Sequence, residues 1–241
     1  MLGDCLERMK EIPDHSVDMV LCDLPYGTTA SPWDSVIPLE LLWASYRRID
    51  PKVLVMFAAQ PFTSTLVTSN PSKFRHCWVW FKSRPVGFLR AKKSPLRSHE
   101  DILVFTFGKV PYFPQNLTSI TPTKRTRTNP GKVYGGKSGS TTSVQTETGY
   151  PRSVLQFGST PSVGRHHPSQ KPVDLLEYLI KTYTKEGDVV LDNTMGSGST
   201  GVAAINTNRK FIGIEKDPTF YQIAKERIHQ ALASRESSFK L

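Results

Sequence analysis

Two short motifs, far apart in the chain, limit what it can fold into. One is Asp23-Leu24-Pro25-Tyr26-Gly27, and the other is Asp192-Asn193-Thr194-Met195-Gly196-Ser197-Gly198-Ser199-Thr200. Each ends an apolar run that reads as a buried parallel strand, over residues 17–22 and 188–191. In open α/β sheets, ligands bind outside the carboxyl ends of the strands. One of these ends is rich in glycine, and the other carries an acid and an aromatic ring. The pattern predicts two adjoining pockets on one sheet edge.

The rest of the chain supports such a sheet. A helix is expected over 38–49, where Leu39, Leu42, Ala44, Tyr46 and Ile49 keep a largely helical spacing, and a strand over 52–58. A short helix over 60–69 is stopped by Asn70-Pro71, and strands over 76–81 and 101–107 flank the basic stretch 82–97. A helix over 172–183, a strand over 188–191, a helix over 199–207, a strand over 211–215 and a helix over 218–233 complete the order. Strand–helix alternation followed by a strand pair predicts an α/β fold. Its sheet is mostly parallel and Rossmann-like, with an antiparallel edge strand and helices on both faces. Between Gly108 and Gly164 periodicity dissolves into Gly, Ser, Thr, Pro, Lys and Arg, which reads as a long functional or disordered loop. The expectation is one domain over 1–241, with 109–165 as an inserted basic segment.

Charge is unevenly distributed. Residues 71–173 hold 17 Lys and Arg against 3 Asp and Glu, whereas the remainder holds 14 against 18. A near-neutral body with a basic middle is the electrostatic footprint of a nucleic-acid binder. Cys5, Cys22 and Cys77 form no C-x-x-C pair, so reduced thiols in a cytoplasmic setting are expected. His166-His167 has no nearby ligand set, and no metal is expected. No uncharged apolar run approaches the roughly 18 residues of a membrane span, and no signal-peptide pattern opens the chain, so no membrane association is expected.

In the second motif, strand, tight turn and helix start follow one another. Glycines there permit φ > 0 and close approach of a ligand to the backbone. Ser199 and Thr200 can cap the helix, whose free amides attract an anion or carboxylate. Glu215 ends the next strand, where dinucleotide-type folds grip a ribose diol. No Gly-Lys-Ser/Thr follows, so this is not a phosphate loop. The spacing G-x-G-x-x-G is met by Gly196, Gly198 and Gly201, but the rest of the chain argues against a nicotinamide or flavin.

With these residues laid out, the chain resembles the β-type, circularly permuted amino-group DNA methyltransferases. Asp23-Leu24-Pro25-Tyr26 is similar to their D-P-P-Y catalytic motif, and the glycine turn to their P-F-x-G-S-G-T-T cofactor motif. Gly3-Asp4-Cys5, Ser98-His99-Glu100-Asp101-Ile102-Leu103 and His167-Pro168-Ser169-Gln170-Lys171-Pro172 resemble three further family segments, in consistent order. The resemblance implies S-adenosyl-L-methionine as cofactor and double-stranded DNA as partner. It implies that Asp23 and the Leu24 carbonyl accept hydrogen bonds from the target amine, that Pro25 holds Leu24 extended, and that Tyr26 stacks on the extruded base. Asp4 and Cys5 would meet the adenine of the cofactor, Glu215 its ribose, and Gly196 and Gly198 its methionine part. Ser199, Thr200 and Lys171 are candidates for its carboxylate. Asp192 either touches the cofactor or braces the turn, and Trp33 either closes over the base or anchors its loop. Leu24 departs from the family pattern, at a position where only the carbonyl is asked for.

The Asp in the first motif favours the 6-amino group of adenine, since cytosine 4-amino enzymes usually carry Ser there. Cytosine N4 methylation and a catalytically silent DNA-binding module are the alternatives. Carbon-5 methylation is not expected, because its cysteine nucleophile typically follows a proline and none of the three cysteines does. Lys82, Arg84, Arg90, Lys92, Lys93 and Arg97 are expected to flank the catalytic face and contact phosphates. Lys124, Arg125 and Arg127 lie in the variable segment, which in this family reads bases. A homodimer and a separate restriction endonuclease are compatible with the resemblance, as is a bacterial or phage-infected host cell.

Overall fold

The computed structural model describes residues 1–28, 34–129, 139–158 and 170–238, so Trp33 and His166-His167 lie outside the described residues. In chain order its elements are α1 (Cys5–Met9), β1 (Met19–Asp23), α2 (Leu39–Ile49), β2 (Val53–Ala58), α3 (Phe62–Ser69), β3 (Phe74–Val86) and β4 (Arg97–Phe105). Then come β5 (Thr118–Asn129), β6 (Gly139–Thr148), β7 (Val154–Phe157), α4 (Val173–Tyr183), β8 (Val189–Asp192), α5 (Ser199–Asn206), β9 (Lys210–Gly213) and α6 (Pro218–Ser238). The chain divides into two compact units: Met1–Phe113 with Ser153–Leu241, and Pro114–Arg152.

In the larger unit the strands run in the order β7-β3-β4-β2-β1-β8-β9. Strands β2, β1, β8 and β9 are mutually parallel, and β7 is parallel to β3. The α/β sheet expected from the sequence is therefore present, but its reversed strand is not at the edge. Strand β4 returns from β3 and pairs antiparallel with both β3 and β2, so it lies inside the sheet. The outer edge on that side is β7, drawn from a segment that reads as loop.

Period-two alternation sorts the side chains to the two faces. Met19, Leu21, Val53, Val55 and Phe57 pack on one face with Leu175, Leu179 and Ile180 of α4 and Ala203 and Ala204 of α5. Val20, Cys22, Leu54 and Met56 pack on the other with Leu42 and Tyr46 of α2 and Leu66 of α3. Burial on both faces explains why these strands read as unbroken apolar runs. Among the described residues, no helix is long and apolar enough to cross a membrane.

The smaller unit is the antiparallel β5–β6 pair, in which Thr126 and Thr142 hydroxyls meet across the strands at 3.0 Å. The stretch expected to be irregular therefore contains three strands, β5, β6 and β7. Thr-rich strands without an apolar face have β propensity but no alternation to reveal them.

The candidate active site

Because β1, β8 and β9 are parallel, their carboxyl ends share one edge, and the two motifs emerge there side by side. The amino-terminal residues join them. Leu2 bridges Glu215 in parallel fashion, the Gly3 amide donates to the Glu215 carbonyl (2.8 Å), and the Glu215 amide donates to the Met1 carbonyl (3.1 Å). This tether carries Asp4 and Cys5 to the edge, with Asp4 capping α1 by accepting from the Leu6 amide at 2.9 Å.

One cavity of about 790 Å³ lies along this edge. Its walls include Asp4, Cys5, Asp23, Leu24, Pro25, Tyr26, Lys171, Asp192, Gly196, Ser199, Thr200 and Glu215. Of the catalytic and cofactor residues expected from the sequence, Gly198 is the exception. Its φ is +78°, and a Cβ there would come within 2.8 Å of the Ala224 Cβ and 2.9 Å of its Cα. Gly198 is required by left-handed backbone and by packing against α6, rather than by a place in the cavity wall.

The acidic turn is fixed by side chains. Asp34 is buried and accepts from three successive amides, those of Tyr26 (2.7 Å), Gly27 (2.9 Å) and Thr28 (2.8 Å). The Tyr26 hydroxyl donates to Asp23 Oδ1 at 2.7 Å, and its ring stacks on Phe62 with centroids 5.2 Å apart. Burial and the neighbouring Asp23 carboxylate push the Tyr26 hydroxyl well above its ordinary pKa, so it remains a donor. The Thr194 hydroxyl donates to the Asp23 carbonyl at 3.1 Å, which ties the acidic turn directly to the glycine turn. Leu24 has its side chain in the core at 3% exposure, so the residue that departs from the family pattern earns its place by packing.

Lys171 departs from its expected role. Its Nζ pairs with Asp23 Oδ2, lies 3.4 Å from Glu100 Oε2 and stands 4.9 Å above the Phe57 ring. Burial alone would lower its pKa, but the Asp23 and Glu100 carboxylates outweigh burial and raise it. Lys82, expected on a phosphate, is also turned inward. It pairs with Glu100 Oε1, its side chain is only 11% exposed, and burial lowers its pKa despite the Glu100 charge. For Glu100, burial opposes ionisation, yet the two lysines hold its pKa below the ordinary value. A buried chain of alternating charge, Lys82–Glu100–Lys171–Asp23, thus backs the acidic turn. Spacing along the sequence does not reveal such pairings.

The glycine turn is held differently. Glu215 accepts from the Gly196 amide through Oε2 and from the Asp217 amide through Oε1, both at 2.8 Å. Asp192 accepts from the Thr194 amide at 3.0 Å. Burial, reinforced by the Asp23 and Glu215 charges, pushes its carboxyl up to about 7 against hydrogen bonds from Thr200 and Thr194. Arg227 of α6 donates to the Ser197 carbonyl at 2.5 Å and to the Ser199 hydroxyl at 3.2 Å. Asp34, which reads from the sequence as a turn residue, braces the acidic turn. Sequence reasoning missed Arg227 and the role of Glu100, and only the family-like placing of Glu100 beside His99 hinted at the latter.

The remaining cations lie outside the cavity or at its rim. Arg84 is exposed near the end of β3, Arg90, Lys92 and Lys93 are exposed on the β3–β4 connection, and Arg97 is exposed and also lines the cavity. Lys124, Arg125 and Arg127 are exposed on β5 of the smaller unit.

Comparison with known proteins agrees with this geometry. Residues 53–226 match the model of a family described as DNA methylase. The Type II methyltransferase M2.MboI of Moraxella bovis is 37% identical over 99% of this chain and 90% of its own length. The structure of the M1.HpyAVI–SAM complex superimposes with a TM-score of 0.65 at 24% identity, covering 94% of this chain and 97% of the other. The PvuII DNA methyltransferase, described as cytosine-N4-specific, superimposes with a TM-score of 0.63 at 16% identity, covering 96% and 91%.

Proposed function

The chain belongs to the DNA methylase family, and we propose that it transfers a methyl group from S-adenosylmethionine to the exocyclic 6-amino group of adenine in duplex DNA. The observation that carries this reading is that Asp23 and Glu215, from opposite ends of the sequence, stand in the wall of one cavity. The cavity suits the cofactor. Its walls carry the carboxylates of Asp4 and Glu215, which favour a cationic sulfonium and ammonium. Leu6, Ile37 and Phe220 offer apolar surface for a purine. Bound there, S-adenosylmethionine supplies an electrophilic methyl group on sulfur.

The protein's part is positioning and electrostatics. An aromatic amine is a weak nucleophile because its lone pair is delocalised into the ring. Hydrogen bonds from the amine to Asp23 and to the Leu24 carbonyl favour the pyramidal nitrogen that attacks, and they strengthen as positive charge develops on it. Lys171 pairs with Asp23 through Oδ2, and the Tyr26 hydroxyl fixes its orientation through Oδ1. Tyr26 stacks on the base once it has left the helix, with Phe62 supporting the ring from behind. Glu215 holds ribose hydroxyls, and Asp4 and Cys5 border the adenine of the cofactor. Arg84, Arg90, Lys92, Lys93 and Arg97 bind phosphates, while Lys124, Arg125 and Arg127 in the variable segment read bases.

The preference for adenine rests on Asp23, because a cytosine-N4-specific protein shares the fold and the fold does not discriminate. Mass spectrometry of nucleosides from DNA methylated by the purified protein tests it. The expected product is 6-methyladenine; 4-methylcytosine alone would overturn the choice of base, and label on neither would overturn the activity.

A further inference from the structure

The connection between β3 and β4 carries a feature that the reaction has not used. Strand β3 continues for 13 residues, and its register with β4 breaks between Phe81 and Val86. Gly87, at φ +99°, then opens a single 3-10 turn, Phe88–Arg90. At this turn Phe88 is 68% exposed and Leu89 fully so. A lone exposed leucine is ordinary, but two adjacent large apolar groups at the tip of a hairpin are not. Their surroundings are cationic: Arg84, Arg90, Lys92, Lys93 and Arg97 are all exposed, and no acidic residue occurs from Lys82 to Ser98.

Topology sets this tip beside the reaction edge. Strand β3 is antiparallel to β4, which is antiparallel to β2, so β3 ends at the same edge as Asp23. At the foot of the connection Arg97 lines the cavity, and three residues further on Glu100 reaches Lys171.

We propose that Phe88 and Leu89 form an apolar wedge that enters the base stack of duplex DNA beside the target nucleotide, while the surrounding cations hold the phosphates. The proposal rests on the DNA methylation reading above. Apolar side chains inserted at a base step unstack it and distort the duplex. A base taken out for chemistry leaves a gap that such groups can fill. Charge complementarity selects the occupant: a polyanion is attracted to a tip of this sign, and a second copy of the same tip is repelled.

The test compares wild type with Phe88→Ala/Leu89→Ala, both side chains being exposed, so that melting temperature is expected to be unchanged. Methyl transfer is measured on a matched duplex and on one mismatched at the target base, where extrusion is already easier. The double variant is expected to lose at least about tenfold in kcat/KM on the matched duplex and under about threefold on the mismatched one. Equal losses on both, or no loss on either, would overturn the wedge. Conversion of a wild-type dimer to monomer, or loss of binding to anionic phosphatidylserine vesicles with transfer intact, would also overturn it. Unwinding of a relaxed plasmid, read as a topoisomer shift that the double variant lacks, tests insertion without any transfer step. A wild-type protein that unwinds DNA but methylates none would sink the methylation reading and leave the wedge standing.

Discussion

The acidic turn after β1 and the glycine turn after β8 meet at one sheet edge, but opposite means hold them in shape. The acidic turn depends on side chains: Asp34 accepts three amides, Tyr26 grips Asp23, and Lys171 with Glu100 and Lys82 supplies buried charge behind it. The glycine turn depends on missing side chains. Gly196 and Gly198 take positive φ, and a Cβ on Gly213 would come within 2.3 Å of the Met195 sulfur. Charge is concentrated where the proposed reaction has an amine to polarise, and bulk is removed where backbones pack closely beside the proposed cofactor site. The two turns should therefore fail in different ways.

Asp23→Ala is expected to break the comparison most sharply. Removing the acceptor should lower kcat for methyl transfer by at least about 10³-fold, roughly 4 kcal/mol of transition-state stabilisation. Binding of S-adenosylmethionine, followed by calorimetry, should change by less than about threefold, because the glycine turn keeps its own supports. Parallel loss of both would mean that the turns form a single unit. Lys171→Met should cost about 3 kcal/mol of stability in urea titration, because it leaves the half-buried Asp23 carboxylate without its cation. The double variant Asp23→Asn/Lys171→Met removes that stranded charge and keeps the Lys82–Glu100 pair. It should recover most of the loss, and failure to recover would show that packing of the lysine stem, not charge, was what mattered.

Legibility in the sequence divides along the same line. The glycine turn, Glu215 and the strand runs were readable, because positive φ, strand ends and double-sided burial each leave a local mark. Helices α2 and α4 follow the apolar spacing of Leu42, Tyr46 and Ile49, and of Leu176, Leu179 and Tyr183. Helix α1 escaped, since five residues are too few to show a period, and its one local mark is the Asp4 cap. Strands β5 and β6 escaped because Thr and other polar residues occupy both faces, with Lys and Arg added in β5. Lys82 looked like a surface cation, yet its partner is 18 positions away on the next strand, and Lys171 meets an acid 148 positions away. Nothing in local spacing encodes which distant carboxylate a lysine will find.

Gly198→Ala probes the other turn. With φ at +78° and the Ala224 Cα 2.9 Å from the new Cβ, the backbone of α6 has to move, and a loss of about 2 kcal/mol is expected. The effect should appear as a lower urea midpoint with an unchanged slope, together with weaker binding of S-adenosylmethionine. A neutral result would mean that α5 and α6 can separate without disturbing the turn.

The smallest effect concerns the one carboxyl in the glycine turn that burial keeps from ionising readily. Asp192 has an ordinary value of 3.8 and is pushed up to about 7. Between those values the folded protein holds a proton that the unfolded chain has released. The stability tied to that proton is therefore complete below about pH 4 and is lost as pH rises through about 7. From pH 5 to pH 6 this single group should lower stability by about 1 kcal/mol, at 1.36 kcal/mol per pKa unit. Asp192→Asn cannot lose the proton, so its urea midpoint should stay level over that interval while that of wild type declines. Equal slopes in the two proteins would mean that Asp192 is already ionised at pH 5. The glycine turn would then hold a buried negative charge, which the cationic end of the cofactor is suited to neutralise, and its distinction from the acidic turn would narrow.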